Sequence, residues 1–271
     1  MSASRPQSKL SEVSDFMNQH QGIIDPNRLE LRRWLNDARA LRQSEPAAGY
    51  IMEGLLYRAQ GKIAEGLEYL EKAYRLDSLL ASKNYFSLLA TNGEYGKAEN
   101  VALHFIQKDR ADSELLQFML SIIMYSLNED NLNQAINMFK PTNPYAKEIL
   151  NLANFMLDDI KKTLSSLELS NVTVETYRNY WMLASKIRNA NYMGGSHITI
   201  THQVNELGNF LIIEDSLLNV SIDDCMRMND ELIEAIIDDD YPFDEYRKIV
   251  FNFSPAENSL KNMNTDKAFR V

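Results

Sequence analysis

Residues 50–78 read YIMEGLLYRAQGKIAEGLEYLEKAYRLDS, and the interpretation of the rest of the chain follows from this stretch. Ala47 to Gln60 and Ile63 to Leu76 are each long enough for about four helical turns, with Gly61-Lys62 as a tight reversal between them. The pattern predicts an antiparallel helix pair. A glycine inside a helix costs roughly 1 kcal/mol relative to alanine, so Gly54 and Gly66 mark a place where two backbones must approach closely. Around that crossing Tyr50, Leu55, Tyr57, Leu67, Leu70 and Tyr74 recur at helical spacing. Ala73 keeps the second helix thin where a following pair would stack.

One such pair cannot bury its own apolar face, so neighbours of the same design are expected. Gly93-Glu94-Tyr95-Gly96-Lys97-Ala98 repeats the Gly61 to Gly66 turn at a distance of 93 minus 61, or 32 residues. A third copy fits Asp130 to Ala135, with Phe139 as the bulky residue and Pro141 as the stop, after a helix from Ser113 to Leu127. The stretch resembles a tetratricopeptide repeat: Tyr50, Gly54, Tyr57, Gly66, Leu70 and Ala73 fall on the signature positions. It departs from the family pattern at Tyr50 for tryptophan, Glu53 for leucine, Gly66 for alanine, Leu70 for phenylalanine and Ser78 for proline. The resemblance implies a mainly α fold, a TPR-like α-α superhelix; the small α+β C-terminal unit expected after it lies outside the resemblance and is read from the residues below.

Towards the N-terminus, Met1 to Asp15 is polar with no apolar core after a basic start, which predicts neither a signal peptide nor a membrane anchor. Leu115 to Leu127 is too short and too interrupted to span a bilayer. A single cysteine, Cys225, excludes an internal disulfide framework and fits a reducing, cytoplasmic compartment. Asp25-Pro26 reads as an N-cap followed by proline at the first helical position. The helix it opens ends before Pro46 and carries Arg28, Arg32, Arg33, Arg39 and Arg42, either a docking face for an acidic surface or a solvated outer side.

Beyond Pro141, helices are expected over Pro144 to Leu157 and through Tyr177, Tyr180, Trp181, Ala184 and Ile187, ending at Gly194-Gly195. There the period changes to two. His197 to Val204 and Asn209 to Ile213 read as strands about an Asn205 to Gly208 turn, Ser221 caps a helix from Ile222 to Ile237, and Arg247 to Phe253 is a third strand. The expected organisation is a polar arm over residues 1–25, a helical repeat domain over 26–193, an acidic α+β unit over 194–255 and a polar tail over 256–271. From Ser196 to Val250 there are 13 acidic and 3 basic residues, a charge of 3 minus 13, or -10, equal to that of the whole chain. Such a unit repels phosphates and favours a basic protein surface, so direct nucleic-acid binding is not expected.

Residues that carry chemistry are sparse. His197 and His202 fall on opposite faces of a regular strand and cannot share a metal. Asp238, Asp239, Asp240, Asp244 and Glu245 form the one carboxylate cluster. A calcium loop starting at Asp238 would need glycine and glutamate where Phe243 and Ile249 stand. Gly194-Gly195-Ser196-His197 lacks the closing glycine of a nucleophile elbow, since Ile198 stands there. No catalytic residue, metal site or cofactor is assigned. In the repeat family the first helix of each pair lines a groove that holds a peptide or partner helix. Carried over residue by residue, the resemblance nominates Ala48, Ile51, Leu55, Arg58 and Ala59, then Lys83, Ser87 and Ala90, then Leu120, Met124 and Asn128. The carboxylate-gripping form of that groove has lysine and asparagine where Ile51 and Leu55 stand. The expectation is a non-catalytic protein–protein interaction scaffold or adaptor whose partner is another protein, not a nucleic acid or membrane. One alternative is an immunity or antitoxin-type protein masking a basic partner with its acidic unit. A metal-dependent enzyme built on the carboxylate cluster is the other.

Overall fold

A computed structural model describes residues 10–13, 15–16, 23–76, 78–192, 196–206, 208–238 and 243–256. The chain is mainly helical with a small three-stranded sheet near its C-terminus, and it divides into two compact units, residues 1–110 and 111–271. The change of period and of charge along the sequence places a boundary at residue 194. The contacts instead group the helices after Arg110 with the sheet.

The first unit is built from α1 (Leu29–Ser44), α2 (Pro46–Ala59), α3 (Ile63–Tyr74), α4 (Leu79–Thr91) and α5 (Tyr95–Lys108), each packed on the next, with α2 also touching α4. The expected glycine crossing is present. A Cβ on Gly54 would lie 2.6 Å from the Leu70 side chain and 3.1 Å from the Gly66 carbonyl; one on Gly66 would meet the Gly54 carbonyl and Leu88, both at 3.1 Å. α2 and α4 end in the same way. Gly61 (φ 73°) and Gly93 (φ 76°) are left-handed. Lys62 N–H bonds to Tyr57 O and Gly61 N–H to Arg58 O, as Glu94 N–H does to Leu89 O and Gly93 N–H to Ala90 O. This is the Schellman arrangement, which satisfies terminal carbonyls and turns the chain back, and it repeats 32 residues on, as the sequence spacing predicts.

Two expectations for this unit are corrected. Asp25-Pro26 does not open α1. It forms a separate turn in which Asp25 accepts from Asn27 N–H at 2.9 Å and Arg28 N–H at 3.1 Å, and the helix begins at Leu29 without a side-chain cap. The stretch before it is also more than a polar arm where it is described. Val13 is fully buried, Phe16 packs edge-on against Trp34 at 4.8 Å, and Ile24 N–H caps the Ala59 carbonyl at 2.8 Å.

The second unit holds α6 (Ser113–Ser126), α7 (Glu129–Met138), α8 (Pro144–Ser170), α9 (Val174–Asn191), β1 (Ser196–Asn205), β2 (Gly208–Leu217), α10 (Ile222–Asp238), α11 (Phe243–Tyr246) and β3 (Ile249–Pro255). Its helices start on short polar caps, among them Asn128, Asn143 and Thr173, which each satisfy an otherwise orphaned amide. α8 runs on to Ser170 instead of ending at Leu157: Asp158 to Lys162 holds no glycine or proline, and its charges pair along the helix, Lys162 with Asp159 at 2.9 Å. It stops only where Asn171 turns left-handed (φ 50°). Gly194-Gly195, the expected end of the helical region, lies outside the described residues.

β1 and β2 form the predicted antiparallel hairpin, from Ser196 opposite Leu217 to Asn205 opposite Gly208, and β3 lies parallel to β2 after α10 crosses over. Leu211, Ile213, Asp215 and Leu217 alternate into the core with Phe253, Met228, Leu232, Tyr177 and Trp181. The outer edge of β3 is held by one side chain. Asn229 of α10 accepts from Phe253 N–H at 2.7 Å and donates to Phe253 O at 3.0 Å, as a neighbouring strand would. Among the described residues, no helix is long and apolar enough to cross a membrane.

Candidate functional site

The predicted groove residues separate by burial. In the first unit Ile51 and Leu55 are only 2% and 6% exposed, so they belong to the core and are not surface available to a ligand. An apolar stripe at i and i+4 serves helix packing and a groove equally well in sequence, and here packing takes it. Ala59 and Ala90 are buried too. Arg58, Lys83 and Ser87 keep partial exposure.

Arg58 stands apart from the rest. Its side chain makes no hydrogen bond or ion pair with the described residues, although burial of the guanidinium lowers its pKa from the ordinary arginine value. A desolvated, uncompensated cation is unfavourable unless something else neutralises it. In the second unit Leu120 is buried at 2%, and Met124 gives its carbonyl to the Tyr177 hydroxyl at 2.6 Å. Asn128 caps α7 through Asn131 N–H at 3.2 Å. These third-copy positions therefore take part in the packing and capping of their own unit.

The carboxylate cluster also separates. Asp238 is exposed at the end of α10, and Asp244 is exposed beside Arg247 at 3.4 Å. Asp239 and Asp240 lie outside the described residues. Glu245 does not belong to an acidic surface. One of its oxygens, Oε2, accepts from Thr173 N–H (2.8 Å), Thr173 Oγ1 (2.9 Å) and Thr176 Oγ1 (2.6 Å) at the N-terminus of α9. Partial burial raises its pKa, but the bonds from Thr176 and Thr173, with Lys248 nearby, outweigh this and leave it below the ordinary value. Charge on Glu245 thus stabilises a helix start. Among the described residues no group of three metal-binding side chains comes together.

Sequence reasoning missed two buried ionic sites. On β2, Asp215 is 1% exposed and pairs with Arg188 of α9 at 3.1 Å; Arg188 also donates to Ser196 Oγ at 3.2 Å. Tyr192 bonds to the Leu218 carbonyl nearby, and burial raises the pKa of the Cys225 thiol, with Asp224 and Asp215 adding to the effect. That thiol is a poor nucleophile, and the pair ties α9 to the sheet. In the first unit Glu53 is 1% exposed and takes Arg42 at 3.0 Å and Arg39 at 3.8 Å. Burial raises the pKa of Glu53 and the two arginines oppose the rise. A polar residue in a repeat position that is normally leucine was the available signal.

A half-open cleft of about 510 Å³ in the second unit is bordered by Ser170, Asn171, Asn209, Phe210, Arg247 and Lys248. Its charged and amide groups are engaged: Lys248 donates to Asn171 O at 3.2 Å, Asn209 to Leu169 O at 2.9 Å, and Arg247 faces Asp244, whereas the buried Ser170 hydroxyl has no hydrogen-bond partner among the described residues. No family model, curated protein or solved structure matches the chain.

Proposed function

We propose that this protein is a non-catalytic interaction scaffold in which tetratricopeptide-like helical hairpins present a binding surface to another protein in a cytoplasmic setting. The observation that carries the reading is Arg58: a recessed cation without a counter-ion among the described residues, on a helix that touches the one bearing Lys83 and Ser87. A partner segment that offers a carboxylate beside apolar side chains would compensate it. Ile51 and Leu55 support this surface from beneath. Arg58→Glu reverses the charge without opening the core and should abolish capture of the partner that wild type retains. Lys147→Glu, an exposed site in the other unit, should leave capture intact. Affinity capture with mass-spectrometric identification, run on the three proteins side by side, is the measurement; equal recovery by Arg58→Glu removes the assignment. The reading as a mask for a basic partner is weaker, because Glu245 is committed to the start of α9.

A further inference from the structure

On a different face of α2 from Arg58, Tyr50, Glu53 and Tyr57 recur at three- and four-residue spacing and form a strip whose middle member, Glu53, is buried. α1 flanks it through Arg39 and Arg42, which reach Glu53. α3 flanks it on the other side through Tyr69, whose ring lies 5.2 Å from Tyr57, nearly parallel at 18°, and 6.2 Å from Tyr50. Tyr69 therefore sits between the other two in a row. Cations border every ring: Arg42 is 5.4 Å from Tyr50, Lys62 5.8 Å from Tyr57 and Lys72 4.8 Å from Tyr69. The tyrosines are half-buried, and none of the three hydroxyls bonds to a described residue.

We propose that Tyr50, Tyr69 and Tyr57, rimmed by Arg39, Lys62 and Lys72, form a second docking site, for an extended proline-containing polypeptide segment that carries acidic residues. Charge selects the occupant. In a chain of net charge -10, this patch sets four cations against two carboxylates, Glu53 taking Arg42 and Arg39 and Glu68 taking Lys72, so that a surplus of 4 minus 2, or two positive charges, remains. The ring arrangement selects an extended polypeptide over a nucleic acid. Tyr57 and Tyr69 stack on each other and cations lie over the rings, so the groups left for a ligand are hydroxyls and ring edges, not open faces for bases. A polyproline segment advances ~3.1 Å per residue, so alternate residues fall near the spacing of the ring row and turn their carbonyls to successive hydroxyls. Tyrosine provides such contact area at low entropic cost.

The test uses the 271-residue chain and a labelled peptide of alternating proline and glutamate, about sixteen residues long so that it covers the row in any register. An alternating proline–lysine peptide and an oligouridylate of similar length serve as comparisons. The acidic peptide should bind with a Kd of roughly 10–500 μM. Lys62→Glu with Lys72→Glu should weaken it about tenfold or more, and the triple Tyr→Phe variant at 50, 57 and 69 about threefold or more, both with unchanged thermal melting. Arg58→Glu should leave it unaffected, which separates this site from the one around Arg58. No binding of the acidic peptide below about 1 mM overturns the proposal. Equal binding by the charge-reversed variant, loss only with Arg58→Glu, or tighter binding of the RNA or basic peptide also overturns it.

Discussion

A methyl group added at Gly49 would sit 2.5 Å from both the Cα and the amide nitrogen of Arg42, where α1 and α2 cross. Backbone on both sides cannot yield, so Gly49→Ala should destabilise the first unit by about 2–3 kcal/mol in urea unfolding. Gly96 is the contrast: an added Cβ meets nothing within 4 Å. Gly96→Ala should be neutral to about 0.5 kcal/mol stabilising, since it only removes backbone freedom from the unfolded chain. Gly54 and Gly66 could be read from sequence because each stands mid-helix, where glycine is costly. Gly49 could not, since behind Ala47 and Ala48 it passes for part of a helix start. Glu53 carried a signal in its departure from the family pattern, but its arginine partners lie on a helix the repeat pattern does not describe.

Among the elements, α9 depends on a residue far along the chain. Glu245, 72 positions from Thr173, supplies the acceptor for the first turn, and no spacing rule could have revealed it. Glu245→Ala should cost about 1–2 kcal/mol, with Glu245→Gln intermediate. Because the folded-state pKa is depressed, this contribution is present above the ordinary value of 4.5 and is lost as pH falls through the folded value. The stability gap between wild type and Glu245→Gln should therefore be widest near neutrality and close in acid, measured by urea titrations at a series of pH values. The strands were more legible. Alternation along β2 follows from one buried face, and Ile198, Ile200 and Thr201 bring the β-branched bulk that suits a pleated surface. The length of α8 was not legible, because a charged stretch inside a long exposed helix looks like an ending.

For the molecule as a whole, the division after Arg110 makes a direct prediction. Fragments 1–110 and 111–271 should each show helical circular dichroism and a cooperative urea transition of its own, because each contains its own buried core. A non-cooperative melt of either fragment would refute that independence. Charge asymmetry was visible in the sequence, whereas the grouping of α6 to α9 with the sheet was not. That grouping depends on Trp181 and Tyr180 meeting Phe251 across some seventy intervening residues of chain. The amide of Asn229 has a last consequence. By standing in for a fourth strand it seals one margin of the sheet, while the opposite margin, β1, carries no charged residue and no proline along its ten positions. Such edges are where sheets extend between molecules, so intermolecular strand pairing by this chain, native or aberrant, should begin at β1.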